Sequence, residues 1–570
     1  MSLVECVPNF SEGRDRAVIE AIADAIRAVD GVTLLDVDPG AATHRTVFTF
    51  VGAPAAAVEA AFQAVARGSE RIDMRRHHGE HPRLGAADVC PFIPVDGITL
   101  AECAELARQV GRRIGEELGI PVYLYEAAAS RPERRSLAQI REGEYEGLAA
   151  KLTDPDWAPD FGPAAFNPKS GATVVGARPY LIAYNVNLNT RDKRVANELA
   201  QEIREGGRVV KDASGRTVRG ADGKPQRQAG MFRECRAVGW FIEEFGRAQV
   251  SINLTNPSVT PMHAVFDAVE ELARARGCRV TGSEIVGLVP REAMLAAGRH
   301  YLARQGKTTG VPESRLVEVA VQSLGLHDVK PFEPRERILE CRVGREGRLA
   351  SLSLRAFADE TSTDSPAPGG GSVAALCGAL AAALAGMVAA LTHGRKGHHE
   401  GTRAQMQEVA AAAQDHKDAF LRAIDEDTDA FDRFLAAARL PKKTADDRSR
   451  REAALDAAAK AAAGVPLAVL RRTLQVLPLA RTAAAHGNPA SISDAGVAAI
   501  AAGAAAEGAY LNVRINLPQI QDADWRAAAE MEADRLVAAA RVEAEAIRSA
   551  VLEQILAAGP VATTPPAGGR

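Results

Sequence analysis

A chain of 570 residues, a quarter of them charged and close to half hydrophobic, is too long for one core; at roughly 100 to 200 residues per domain it predicts three or four units. A formal net charge of -4 argues against nucleic acid or an anionic membrane as the main partner. The seven cysteines are odd in number, widely spaced and free of any C-x-x-C pair, and the amino terminus enters a strand-like run without a charged start, apolar core and cleavage site; both features predict a cytoplasmic protein with neither a disulfide framework nor a zinc site.

From the amino terminus, short strand-like runs alternate with amphipathic helices. Leu3 to Pro8 reads as a strand, Arg14 to Val29 as a helix, Val32 to Asp38 and Thr46 to Gly52 as strands, and Pro54 to Ser69 as a helix with proline in its first turn. Beyond a histidine-rich loop come strand Ala87 to Pro94, helix Leu100 to Leu118 and strand Pro121 to Tyr125. That order predicts sheets covered on one face by helices.

The stretch Ile72 to Val95 sets three of the chain's twelve histidines, His77, His78 and His81, among three arginines and Glu80, and is broken by Gly79, Pro82 and Gly85. Such a loop on a rigid frame is where chemistry concentrates. Three readings fit it. The histidines and Glu80 can bind a metal, although H-H-G-E-H lacks the helical H-E-x-x-H spacing. They can form a solvated turn capping the next strand. Or one imidazole can act as general acid and base, since its unperturbed pKa of about 6.5 lets it take and return a proton near neutrality.

The run G-E-H-P-R-L-G-A-A-D-V-C-P-F-I-P-V closely resembles the active-site segment of the glutamate formimidoyltransferase family, and L-V-E-C-V-P-N-F-S-E-G at Leu3 to Gly13 is similar to that family's amino terminus. The resemblance implies that His81 is the catalytic acid/base and that no metal is needed. With that chemistry, Glu80 is the candidate for supporting a cationic donor and Arg83 for a substrate carboxylate.

Asp156 to Gly171, D-W-A-P-D-F-G-P-A-A-F-N-P-K-S-G, reads either as a proline-rich linker or as a packed segment, given Trp157, Phe161 and Phe166. Its second half resembles the folate-binding segment of the same family, carried by Gly162, Pro163, Ala164, Ala165, Phe166, Asn167, Pro168, Lys169, Ser170 and Gly171. A pterin needs an apolar, partly aromatic wall with a few backbone hydrogen bonds.

The pattern then repeats: strand Tyr180 to Asn187, helix Thr190 to Glu205, strands Arg236 to Phe241 and Ala248 to Leu254, helix Thr260 to Arg276, strand Arg279 to Glu284 and helix Arg291 to Arg304. In both halves two adjacent strands precede a helix that begins near a proline, Pro54 or Pro261, which suggests an old duplication. Gly206 to Gln228, glycine-rich and basic, is an excursion with hairpin signals and no assigned site.

After Asp328 to Ser351 the composition turns to Ala-rich helices. Ser372 to Thr392 has the length of a membrane span, but its Ala and Gly content and its flanks without an aromatic belt favour a helix pressed against others in a soluble bundle. Ahead of it, S-P-A-P-G-G-G-S feeds Gly369, Gly370, Gly371 and Ser372 into the helix start. That loop can offer N-H groups to an anion, or it can be a hinge with Ser372 as N-cap.

In the helix Thr402 to Leu440, Met406, Val409, Ala413, Phe420, Ile424, Phe431 and Phe434 define one apolar stripe. Asp427 falls on that stripe, whereas Asp425, Glu426 and Asp429 point away. A carboxyl in apolar surroundings has a raised pKa and can donate a proton near neutrality, unless an arginine satisfies it or it lies at the stripe's edge.

A-P-G-G-G-S-V-A-A, L-R-A-I-D-E-D-T-D-A-F, L-P-K-K-T and A-Y-L-N-V-R-I-N-L resemble formimidoyltetrahydrofolate cyclodeaminase, in which Asp427 matches the proton donor. Asn512 and Asn516 can meet a pterin or bridge helices, and Lys442, Lys443, Arg448, Arg450 and Arg451 can hold a folate's glutamate tail or form a solvated surface. Taken together, the resemblances follow the order of the bifunctional formimidoyltransferase-cyclodeaminase family. They imply a multidomain fold: two α/β subdomains of α+β sandwich type, at 1–178 and 179–327, and an all-α cyclodeaminase domain at 352–558, while local signals mark a linker at 328–351 and the Pro, Ala, Gly and Thr composition of 559–570 a disordered tail.

The implied reaction, part of histidine degradation and one-carbon metabolism, moves a formimidoyl group from N-formimidoyl-L-glutamate to tetrahydrofolate as co-substrate, then releases ammonia. The implied partners are that donor and (poly)glutamylated tetrahydrofolate, with no nucleic acid or membrane, in a cytoplasmic homo-oligomer. The alternative keeps the transferase and makes the helical half a methenyltetrahydrofolate cyclohydrolase or a non-catalytic folate-binding assembly module.

Overall fold

The structure, a computed structural model, describes residues 2–41, 43–79, 82–220, 223–243, 245–343, 347–365, 367–395 and 400–557. Glu80, His81 and the tail at 559–570 lie outside the described residues. The chain forms two compact units, Met1–Ala296 with Val321–Val343, and Ala297–Ala320 with Gly344–Arg570.

The first unit opens with β1 (Leu3–Cys6), β2 (Asn9–Phe10), α1 (Arg16–Arg27), β3 (Val32–Gly40), β4 (Arg45–Gly52), α2 (Pro54–Arg71), β5 (Ala87–Asp96), α3 (Leu100–Leu118), β6 (Val122–Glu126), α4 (Leu137–Ile140), α5 (Glu144–Lys151) and β7 (Thr173–Ala177). These strands make a seven-stranded sheet in which β3 pairs β4, β1 and β2 both sit between β4 and β5, and β7 lies between β5 and β6. Only the β5–β7 and β6–β7 pairs are parallel. Strand β7 escaped the sequence pattern because T-V-V-G-A follows a proline-rich segment and is too short to show alternation.

Alternation along β5, β6 and β7 sends Cys90, Phe92, Val122, Leu124 and Val175 into the core beneath α1, α2 and α3. Val89, Tyr123, Tyr125 and Val174 point to the other face, where Ile140 and Leu148 of α4 and α5 cover them. The sheet is therefore covered on both faces here, and the extra layer carries part of the site.

A second sheet follows from β8 (Ile182–Leu188), α6 (Lys193–Ile203), the short pair β9 (Arg208–Val209) and β10 (Arg227–Gln228), β11 (Cys235–Ile242), β12 (Arg247–Leu254), α7 (Met262–Arg274) and β13 (Val280–Val286). Its order is β11-β12-β8-β13, all antiparallel. The first sheet contains the same order, β3-β4-β1-β5. Both regions thus repeat one β-α-β-β-α-β unit of ferredoxin-like topology, which the sequences alone only hint at. Within the excursion at 206–228, β9 pairs β10, Lys211 bridges to Thr217, and Arg219 bridges to Pro225.

Helices α8 (Arg291–Arg304) and α9 (Glu313–Ser323) straddle the division between the units. Residues 297–320 pack with helical residues: Thr309 N-H donates to Gln407 Oε1 at 3.0 Å, and Gly310 meets the backbone of Ala410 too closely for a side chain. The segment 328–343 stays with the first unit, with α10 (Pro334–Arg337) and α11 (Leu339–Arg342), and Asp328 accepts bonds from Asn187, Arg247 and Thr281.

The second unit continues with α12 (Leu354–Thr361), α13 (Gly370–His393), α14 (Glu400–Ala438), α15 (Ala445–His486), α16 (Ile492–Asn516) and α17 (Ala523–Ala557). Helix α13 packs against α14, α15 and α16, and its small residues permit the close approach: Gly378 lies under the Phe420 ring and Gly386 against Ala413. Three helical stretches, Gly370–His393, Ala445–His486 and Pro489–Gln519, are apolar and long enough to cross a membrane; in α13, 56% of the most apolar window is buried inside the unit.

Candidate active sites

In the first unit the histidine loop hangs between α2 and β5, anchored by buried Ile72 and Met74. His77 is buried too. Its Nε2-H donates to the His44 carbonyl at 2.7 Å, and its Nδ1 accepts from Arg83 Nε at 3.3 Å. Both ring nitrogens are thereby used, which fixes a neutral tautomer and leaves His77 no lone pair for a metal. Burial, the largest cause, holds its pKa below the usual histidine value. The His44 ring stacks on it at 4.3 Å and faces the His78 carbonyl and Glu12 Oε1 with its own nitrogens. Gly79 has no room for a Cβ, because the Thr43 carbonyl fills that space.

Arg83, expected to meet a substrate carboxylate, is committed within the chain. Glu146 takes it in a fork at 2.9 and 2.7 Å, Glu144 accepts from Nη1 at 3.2 Å, and the His77 carbonyl accepts from Nη2. With Nε on His77, the guanidinium is a strut that ties the loop to α5, and a carboxylate ligand would have to displace a glutamate. The physical reason is invisible locally: the two glutamates lie about sixty positions along the chain, 61 and 63 residues away. Arg83, Glu144 and Glu146 line an open cleft of about 480 Å³ together with His78, Gly79 and Gly143.

Beneath the cleft, fully buried Asp88 of β5 accepts from Arg45 Nη1 at 2.5 Å, from the Arg141 guanidinium and from the Leu84 N-H at 2.9 Å. Burial alone would raise its pKa, but the two arginines outweigh that and hold it below the usual carboxylate range. Arg45 also donates to Asn9 Oδ1. This network went unread in the sequence, although Asp88 and Asn9 both stand inside the two quoted motifs.

Residues 162–171 are packed, not a free linker. The Ser170 carbonyl accepts from the Ala86 N-H and the Leu84 carbonyl from the Ala172 N-H, Asn167 Oδ1 accepts from the amides of Lys169 and Ser170, and Tyr145 Oη donates to the Pro168 carbonyl. Phe166 meets Tyr145 at 5.5 Å between ring centroids. Gly162 and Gly171 have φ of 80° and 66°, and a Cβ on either would strike the chain facing it. Pro163, Ala164 and Ala165 are exposed. The segment therefore runs alongside the histidine loop.

In the second unit, Asp427 of α14 faces the first turn of α13. Ser372 Oγ donates to Asp427 Oδ2 at 3.2 Å and is shared with the Ile424 carbonyl at 3.0 Å. Burial, the dominant cause, lifts the Asp427 carboxyl above its usual range, against the Ser372 hydroxyl and amide, which pull it down. Gly371 touches Asp427 so closely that a Cβ would collide with the carboxylate, and Gly370 lies against Asn512. The N-cap is Gly369, so Ser372 is not the cap but a buried partner of Asp427.

Phe420 and Ile424 are buried as the stripe requires and Phe434 packs against the core, whereas Phe431 is 37% exposed. Asp425 does not simply face solvent: it accepts from the amides of Leu349 and Ala350. Asn516 bridges to the Ala462 carbonyl of α15. Of the basic run, Arg448 and Arg451 donate to backbone carbonyls and Arg450 pairs with Asp446, which leaves Lys442 and Lys443 exposed at the turn.

Residues 3–178 match the family profile "Formiminotransferase domain, N-terminal subdomain", 183–344 match "Formiminotransferase domain", and 353–535 match "Formiminotransferase-cyclodeaminase". A formimidoyltransferase-cyclodeaminase of Gallus gallus is 44% identical over 97% of this chain and 99% of its own length. The chain belongs to the formimidoyltransferase-cyclodeaminase family. The glutamate formimidoyltransferase of Streptococcus pyogenes is 44% identical over 53% of this chain and 93% of its own length. A methenyltetrahydrofolate cyclohydrolase of Methylorubrum extorquens is 35% identical over 36% of this chain and 95% of its own length. Each unit carries one of the two sites. The loop cleft with the 162–171 segment belongs to the transferase half, and the Asp427 site to the cyclodeaminase half.

Proposed function

We propose that the chain transfers the formimidoyl group of N-formimidoyl-L-glutamate to N5 of tetrahydrofolate, then cyclises 5-formimidoyltetrahydrofolate to 5,10-methenyltetrahydrofolate with release of ammonia. One observation carries this reading: the likeness to relatives that bear both activities in their name runs through both halves at 44% identity over 97% of the chain.

In the first step N5 attacks the amidine carbon, the N5–C bond forms, and the bond to the glutamate nitrogen breaks. His81 takes the N5 proton and returns one to the departing nitrogen. The tetrahydrofolate pterin lies along 162–171, where the Phe166–Tyr145 pair supplies an aromatic wall. In the second step N10 closes on the same carbon and gives up its proton, the bond from that carbon to the amidine nitrogen breaks, and the nitrogen leaves as ammonia protonated by Asp427, which the N10 proton restores. The raised pKa of that carboxyl supports the role, since burial favours its protonated, proton-donating form.

Lys442 and Lys443 hold a polyglutamyl tail and so keep the intermediate on the protein between steps, a role their exposure supports. The assembly is a cytoplasmic homo-oligomer without nucleic-acid or membrane partners; the exposed apolar residues Val373, Leu380, Met387 and Leu391 on one stripe of α13 support burial against a second copy.

The 35% identity to a cyclohydrolase supports a second reading, in which the helical unit hydrolyses methenyltetrahydrofolate. Following methenyltetrahydrofolate by its near-ultraviolet absorbance, with ammonia in parallel, separates them. Ammonia and methenyltetrahydrofolate appearing together from formimidoylglutamate and tetrahydrofolate is the expected result; glutamate release without ammonia would favour the second reading.

A further inference from the structure

Among the described residues, the cleft beside the histidine loop carries more negative charge than its arginine balances. Glu146 alone satisfies Arg83 through a two-bond fork, and Glu144 adds a second carboxylate that reaches the same guanidinium through one longer bond. Its other oxygen has no partner among the described residues, and 42% of the side chain is exposed to the cleft. The backbone holds it there deliberately. Gly143 and Glu144 are consecutive left-handed residues, φ 85° and 52°, an unfavourable setting for a residue with a Cβ. The turn is pinned from below, because the Glu144 N-H donates to the carbonyl of Arg141, whose guanidinium is fastened to buried Asp88.

Glu144 also borders an adjoining cleft of about 350 Å³, whose lining includes Pro82, the residue after His81, and Arg236 of β11. Arg236 is exposed, and its charge pulls down the pKa of half-buried Glu126, which burial raises. A surplus carboxylate beside an exposed arginine matches a zwitterionic donor with an amidinium next to a carboxylate.

Building on the transferase reading, we propose that Glu144 is the residue that selects a formimidoyl over a formyl donor, by facing its cationic end, while Arg236 takes a donor carboxylate. Formyl and formimidoyl groups are nearly isosteric and differ chiefly in charge, so discrimination between them has to be electrostatic.

The test measures KM for N-formimidoyl-L-glutamate and Ki for N-formyl-L-glutamate as a competing ligand, in wild type, Glu144→Gln and Arg236→Gln. Glu144→Gln keeps an oxygen for Arg83 but loses the charge, so KM should rise about tenfold or more while Ki changes little. Arg236→Gln should raise KM and Ki together, because both ligands carry the carboxylate. If Glu144→Gln leaves KM unchanged, or moves KM and Ki by the same factor, Glu144 is only structural and the proposal falls. A wild type that releases no glutamate from formimidoylglutamate overturns the transferase reading itself, a distinct outcome.

Discussion

The Ser372 hydroxyl of α13 lies 3.2 Å from Asp427 Oδ2 of α14, a bond that partly offsets the effect of burial on that carboxyl. Burial raises the Asp427 pKa and the Ser372 bonds lower it, leaving it raised. Ammonia release should therefore decline as pH rises through the Asp427 pKa, and Ser372→Ala should shift that decline to higher pH by removing a bond to the charged form. Asp427→Asn should keep glutamate release and lose ammonia release. A folded-state pKa above the unfolded one means stability is full below the unfolded value and lost as pH rises through the folded one. Asp427→Asn should thus match or exceed wild type in Tm at pH 8.

Gly371→Ala places a methyl on the Asp427 carboxylate. Overpacking of this kind costs about 1–3 kcal/mol. Urea unfolding of the helical unit should show that loss, and ammonia release should fall far more than glutamate release.

Removing the charge of Asp88 leaves Arg45 and Arg141 facing a neutral amide in a buried site. Breaking a buried ion network costs about 3–5 kcal/mol. Asp88→Asn should lower the unfolding free energy of the first unit, measured in urea, by that amount and slow glutamate release, because Arg141 no longer pins the turn bearing Glu144. Since the folded pKa of Asp88 is depressed, its contribution is present above the unfolded value of about 3.9 and lost as pH falls through the folded one.

His77 must stay neutral to accept from Arg83. Its folded pKa lies below the usual histidine value, so its contribution is present above the unfolded value of about 6.5 and is lost as pH falls below it. Glutamate release should weaken on the acid side of neutrality. In His77→Phe, which keeps the stack on His44 but loses the acceptor, kcat/KM should drop about tenfold, an effect of roughly 1.4 kcal/mol, with the weakening below neutrality reduced.

Glu5 of β1 is fully enclosed, and burial pushes its carboxyl up to about 8, with Arg178 pulling down and Glu340 up. It is protonated in the folded state at neutral pH. Stability of the first unit should fall by about 3 kcal/mol between pH 4.5 and 7 on this account. In Glu5→Gln that decline should be absent, which chemical denaturation across the range would measure.

Local sequence determined where strands and helices run. Helix Leu100–Leu118 and helix Arg291–Arg304 carry the bounds that periodicity sets, and α14 differs by two residues at each end, because a helix or strand is decided by its own turn residues and apolar spacing. Periodicity also put Asp427 on the inward face. It could not say what stands opposite. Ser372, 55 residues away, the Arg45–Asp88–Arg141 network spanning 43 and 53 residues, and the two glutamates that occupy Arg83 are partnerships made only when distant segments pack. Tertiary structure also exposed Phe431 and placed residues 297–320 with the helical unit. Apolar spacing reports which side of an element turns inward; the identity of the neighbour, and with it every charge balance in the two sites, depends on contacts between residues that share no local pattern.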